Sequence, residues 1–269
     1  MGGTKKLVLG NWKMHFTVKE AAVFASKLAK LKVDSSVEVV VAPNNLALAS
    51  VAEALKDSDI KVASQNAYWQ DEGAFTGEVS MPMLRGLAKY VLVGHSERRH
   101  VFGENDDVVM QKVRAAVRAG ITPVLCVGET LLERTQRHTN QVLHHQVTLG
   151  ISQLTADEVA KIVIAYEPVW AISNGKDFGS HKSAIPEDLQ VAQRTIRHNI
   201  AELYGSKAAD KVRVLYGASV SADLAGGFLS IEGIDGLLAG GASLSLHSFK
   251  PIIEKAAQYS GKTEKKGEK

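Results

Sequence analysis

Short, almost wholly apolar runs alternate with longer segments in which apolar residues recur every three or four positions, from one end of the chain to the other. The short runs predict eight strands, at 6–10, 37–42, 60–64, 90–93, 122–127, 162–166, 212–216 and 236–239. Amphipathic segments such as 18–31, 106–119 and 187–203 predict helices between them. Strands without polar alternation belong to parallel sheets covered on both faces. Successive βα units cross over right-handedly, and eight of them closing on themselves give an α/β fold, a (β/α)8 barrel. An open doubly wound sheet is the competing arrangement, weakened by the absence of a GxGxxG motif after the first strand. Gly226 and Gly227 interrupt the helical pattern ahead of the last strand.

No linker divides the chain, so residues 1–260 read as one domain, followed by a polar tail at 261–269 rich in Lys and Glu, with the composition of a disordered segment. A length of 269 residues suits a single α/β barrel, and 45% hydrophobic against 23% charged residues suits a large interior. The formal net charge of +3 is spread along the chain, which argues against a nucleic-acid partner. A single cysteine, Cys126, excludes an intramolecular disulfide and points to a reducing compartment. Residues 1–6 show no apolar signal core or myristoylation pattern, and no apolar stretch reaches the length of a membrane span, so a cytoplasmic location is expected.

In a barrel, residues just past the strand ends share one rim however far apart they lie in sequence. Asn11, Trp12 and Lys13 follow the first strand; Gly94, His95, Ser96 and Glu97 the fourth; Glu167 the sixth; Gly217, Ala218 and Ser219 the seventh; Gly240 and Gly241 the eighth. Glu167 closes an apolar strand just before Pro168, Val169 and Trp170. Apolar and aromatic walls disfavour the charged form of a carboxylate, which is how a weak acid becomes a useful base. Backbone N–H groups in Gly-rich turns cradle phosphate, and barrels of this kind often do so after strands seven and eight. A base, a hydrogen-bond donor and a fixed cation together remove a proton beside a carbonyl and stabilise the enediolate. The residues thus point to proton transfer on a small phosphorylated carbonyl compound, without metal or redox cofactor.

Other signals carry less. His138, His144 and His145 lack an HExxH pattern or an accompanying carboxylate, so no metal is expected. Gly261, Lys262 and Thr263 imitate the end of a P-loop, but Ala256 stands where its leading glycine belongs. Cys126 reads as a buried thiol at the end of strand five.

The segments Gly10 Asn11 Trp12 Lys13 Met14, Gly73 Ala74 Phe75 Thr76 Gly77 Glu78 Val79 Ser80, Val93 Gly94 His95 Ser96 Glu97 Arg98 Arg99, Cys126 Val127 Gly128 Glu129, Ala165 Tyr166 Glu167 Pro168 Val169 Trp170 Ala171 Ile172 and Gly240 Gly241 Ala242 Ser243 Leu244 resemble, in order, the motifs of the triosephosphate isomerase family. The resemblance runs from about residue 6 to residue 257. It implies a TIM barrel and the interconversion of dihydroxyacetone phosphate and D-glyceraldehyde 3-phosphate, a step of glycolysis and gluconeogenesis. It also implies roles: Glu167 as the base, His95 as a neutral imidazole that polarises the carbonyl oxygens, Lys13 as the positive field, Asn11 orienting the oxyanion and Glu97 completing the network around His95. Ser173, Ser219, Gly240 and Gly241 would hold the phosphate. The segment 65–79 resembles the family's interdigitating loop, with Thr76 approaching Lys13 and His95 of a second copy, which implies a homodimer.

The chain departs from the family at two places. Where the family has Gly, Thr, Gly, Lys in its lid, this sequence has Ser173, Asn174, Gly175, Lys176, and residues 177–185 form a longer stretch than usual before Pro186. Ala218 stands where the family carries Gly; a positive φ there would cost alanine about 1 kcal/mol and weaken phosphate binding. These departures keep two alternatives open: a barrel acting on a larger sugar phosphate, and a barrel that binds without turnover.

Overall fold

A computed structural model describes residues 5–172 and 184–260. Eight strands, β1 (Lys6–Asn11), β2 (Val37–Ala42), β3 (Lys61–Ser64), β4 (Tyr90–Val93), β5 (Thr122–Val127), β6 (Val163–Tyr166), β7 (Arg213–Tyr216) and β8 (Gly236–Ala239), close into a barrel in sequence order. Every neighbouring pair is parallel, including β1 with β8. The expected strands agree to within one residue at each end, and the open sheet is excluded by the β1–β8 pairing. Among the described residues no helix is long and apolar enough to cross a membrane.

The unbroken apolar character of the strands follows from two cores. Leu7, Leu9, Val40, Leu92, Val124, Val163 and Leu215 fill the barrel interior, whereas Val8, Val39, Val41, Val91 and Ile164 face the surrounding helices. A strand buried on both faces leaves little room for polar side chains except toward its ends. Cys126 belongs to the inner core as expected, and burial pushes its thiol well above the ordinary range.

Helix starts follow capping chemistry. Thr17 with Glu20, Thr130 with Glu133 and Thr155 with Glu158 form reciprocal capping boxes. The expected helix at 18–31 stops earlier, as Val18–Leu28, because Lys30 and Leu31 bond three residues back in a tightened last turn. The pattern break at Gly226 and Gly227 is no boundary: helix Ala222–Leu229 runs through both. Gly226 is explained by packing, since a Cβ there would lie 3.1 Å from the Tyr259 hydroxyl of helix Leu246–Ser260.

The strand starts carry a polar hub. Glu38 accepts from Arg213 Nη1 at 2.7 Å, Tyr90 Oη at 2.8 Å and Lys89 Nζ at 3.0 Å, and Arg213 also reaches Tyr90 Oη at 2.8 Å. Burial alone would raise the Glu38 carboxyl, but Arg213, Tyr90 and Lys89 outweigh it and lower it to about 2. A carboxyl depressed on folding contributes stability above its unfolded pKa and loses it as pH falls toward the folded value. At neutral pH, Glu38→Gln should therefore cost about 2 kcal/mol after allowance for solvent screening. Urea melts should show that gap shrinking as pH falls from about 4.5 toward 2. A gap independent of pH would assign the cost to packing instead.

Candidate active site

Lys13 follows β1 with φ 51°, one of three described non-glycine residues in the left-handed region. That conformation costs an ordinary residue about 1–2 kcal/mol, and two side chains hold it. Asn11 Oδ1 accepts the Lys13 N–H at 3.0 Å, and Gln65 Nε2 donates to the carbonyls of Lys13 and Ala42, each at 2.8 Å. The ammonium then meets Glu97 Oε1 at 2.5 Å.

His95 caps helix Ser96–His100, and its Nδ1 accepts the Glu97 N–H at 3.2 Å. An accepting Nδ1 carries the lone pair, so the neutral ring holds its proton on Nε2. Nε2 lies 3.3 Å from Glu167 Oε1. Glu97 thus serves the histidine through its backbone and Lys13 through its carboxylate, a division that the sequence did not reveal.

Glu167, 2% exposed, continues from β6. Its N–H donates to Val127 O at 2.7 Å, and its second carboxylate oxygen accepts the Ser96 N–H at 3.0 Å. The chain end of β5 lies so close that a Cβ on Gly128 would sit 2.0 Å from the Glu167 carbonyl oxygen. Only glycine fits that approach. Ser96 and Gly128 were legible as motif members, but their service to Glu167 depends on tertiary contact.

A second acid ends an apolar strand in the same way. Glu129, following β5, is fully buried, and burial raises its carboxyl. Its oxygens accept from Trp170 Nε1 at 2.8 Å and Tyr166 Oη at 3.1 Å, and Arg134 stacks on the Trp170 ring at 4.0 Å. Glu129 fastens the residues that follow Glu167 and does not line the cavity below.

Asn11, Lys13, His95 and Glu167 open onto one cavity of about 240 Å³. Its remaining wall includes Ala218, Ser219, Gly240 and Gly241. Ser219 Oγ donates to Ala171 O at 2.8 Å, tying the turn after β7 to the residues after β6. Ala218 is absent from the positive-φ residues, so the strain expected of alanine there does not arise. Ser173, expected to help hold phosphate, lies outside the described residues, as do residues 174–183, which include most of the lengthened stretch 177–185. Among the described residues no group of three or more His, Cys, Asp or Glu side chains could hold a metal ion. A carboxylate, a donor N–H and an ammonium facing one small cavity can take a proton from carbon and hold the resulting oxyanion.

Comparison with known proteins decides the lineage. The family model described as triosephosphate isomerase matches residues 6–256. The chain belongs to the triosephosphate isomerase family. It is similar to the triosephosphate isomerase of Acetivibrio thermocellus, at 46% identity over 93% of this chain and 98% of that protein. It is also similar to those of Geotalea uraniireducens, at 44% identity over 93% and 98%, and Carboxydothermus hydrogenoformans, at 45% over 93% and 98%. Membership of the triosephosphate isomerase family makes the chain an enzyme of the isomerase class, and the closed barrel is the fold expected from the sequence resemblance.

Proposed function

We propose that this chain interconverts dihydroxyacetone phosphate and D-glyceraldehyde 3-phosphate, with Glu167 as the base. The observation that carries the reading is the meeting of Lys13, His95 and Glu167 at one cavity, with His95 Nε2 3.3 Å from Glu167 Oε1. Glu167 removes the proton from C1 of the ketose, the C1–C2 bond gains double-bond character, and the C2 oxygen takes up the negative charge. The His95 Nε2–H donates to that oxygen, and the Lys13 ammonium stabilises it. The O1 hydroxyl proton passes by way of His95 Nε2 to the C2 oxygen as the C1 carbonyl forms, and Glu167 returns its proton to C2, so that protons balance overall. Asn11 contributes by holding the backbone of Lys13 and by lining the cavity. Gly240, Gly241 and Ser219 form the proposed phosphate wall, since N–H groups of Gly-rich turns bind anions.

Membership of the triosephosphate isomerase family favours a triose over a larger sugar phosphate. Purified protein should turn over triose phosphates far faster than tetrose or pentose phosphates. A preference for a longer sugar would overturn the assignment, and rates equal to buffer would leave a binding role. The proposed setting is the cytoplasm, on the glycolytic role expected of the family.

We further infer a homodimer built on the 65–79 loop. Tyr68 stacks on Trp69 at 3.9 Å and on Phe75 at 4.6 Å, and its N–H donates to Val79 O at 2.8 Å, so the loop is already ordered in one chain. Apolar Met14 is 95% and Phe75 38% exposed, an arrangement that a second copy would cover. Light scattering should give twice the 28.9 kDa chain mass, and Thr76→Arg should yield monomers with reduced turnover. A fully active monomeric wild type would count against the dimer.

A further inference from the structure

We propose that Arg99 is a positioning residue for the reaction: its guanidinium spans the gap between the ends of β4 and β5 and so sets the spacing of His95 and Glu167. This rests on the proposed roles of those two side chains as donor and base.

The strand pairing stops early at this point of the rim. β4 and β5 stay paired as far as Val93 opposite Leu125, whereas β5 and β6 stay paired as far as Val127 opposite Tyr166. The next pair in the β4–β5 register is Gly94 with Cys126, and a side chain joins them. Arg99 Nε donates to Gly94 O at 2.7 Å, and Nη2 donates to Cys126 O at 3.2 Å. Gly94 has φ 70°, and a Cβ on it would lie 2.9 Å from Arg99 Nη2, so the backbone meets the guanidinium this closely only as glycine. Both carbonyls lead to the reacting groups. That of Gly94 belongs to the peptide entering His95, while Cys126 precedes Val127, whose carbonyl accepts the Glu167 N–H at 2.7 Å. One planar fork therefore ties the backbone that carries the imidazole to the backbone that carries the carboxylate. Arg99 does not line the active cavity. It shares with Glu167 a separate small void, bordered also by Gly94, Ser96, Cys126 and Gly128. The Arg99 side chain is 8% exposed, and the Asp106 carboxylate accepts from Nη1, so the buried charge is paired.

The test is steady-state kinetics of the full-length protein on dihydroxyacetone phosphate carrying hydrogen or deuterium at C1, beside thermal melting and titration of a phosphorylated substrate analogue. Arg99→Lys keeps the charge but cannot span two carbonyls with a planar fork. It should lower kcat about 10²-fold, the cost of misplacing reacting groups by about 1 Å. KM and analogue affinity should hold their wild-type values, and the isotope effect should rise as proton removal becomes the slow step. Asp106→Asn removes the ion pair while leaving an acceptor for Nη1, so it should lower the melting temperature and keep kcat. Arg99→Ala combined with Asp106→Ala leaves neither charge buried alone, and it should repeat the kinetic loss even if Arg99→Lys does not fold. The proposal is overturned if a folded Arg99 variant keeps the wild-type kcat and isotope effect, or if Asp106→Asn loses as much kcat, which would assign the effect to the ion pair. The underlying reading fails separately, through an inactive wild type or a Glu167→Gln variant that retains its turnover.

Discussion

Glu167→Gln should lower kcat by about 10²- to 10⁴-fold, the usual contribution of a positioned general base. Glutamine has the same length and can still accept the Ser96 N–H through its amide oxygen, so the geometry that holds this side chain persists. Its amide does not accept a proton at neutral pH. The loss should appear in kcat with little change in the affinity of a phosphorylated substrate analogue, because the group acts in the transition state. The check is steady-state kinetics beside analogue titration. A variant with near-normal turnover would remove Glu167 from the base role, and an equal loss of analogue binding would make its role structural.

Lys13→Met should lower kcat/KM by about 10³-fold, in the range seen when a fixed electrostatic partner of a developing oxyanion is removed. Both kinetic parameters should move, since the ammonium faces the substrate charge in the ground state and in the transition state. The backbone of residue 13 is held by Asn11 and Gln65 through main-chain atoms, so the left-handed conformation is not dependent on the lysine side chain. Glu97 loses its partner but is 31% exposed and remains hydrated. Thermal melting should therefore stay close to wild type. A large fall in melting temperature would reassign the kinetic loss to misfolding, and unchanged kinetics would exclude Lys13 from the electrostatics of the reaction.

The barrel was legible because its signal is repeated. Each of eight strands is buried on both faces and shows as an apolar run, and the closing β1–β8 pairing is the one topological fact that a linear pattern could only imply. The rim residues were legible for the same reason, since barrel closure brings every strand end to one face. What sequence alone left open were the contacts between those ends. Glu129 and Glu167 carry the same signature, an acid after an apolar strand, yet one is closed off by an indole and a phenol and the other opens onto the cavity. Only packing separates them. Gln65 gave no local sign of its hold on Lys13, because that contact spans 52 positions. Ala218 illustrates the opposite error: a departure from a glycine pattern suggested strain, but the turn after β7 does not use the backbone region that glycine uniquely provides.

The hub of Glu38, Arg213, Tyr90 and Lys89 sits among the strand starts, while the proposed catalytic groups follow the strand ends, with the inner apolar core between them. Tolerance to acid and catalytic competence are therefore written into opposite mouths of one vessel. An engineer could harden or soften the floor against low pH without retuning the chemistry at the lip, and loss of folded structure in acid, read by circular dichroism, would then signal a failing foundation.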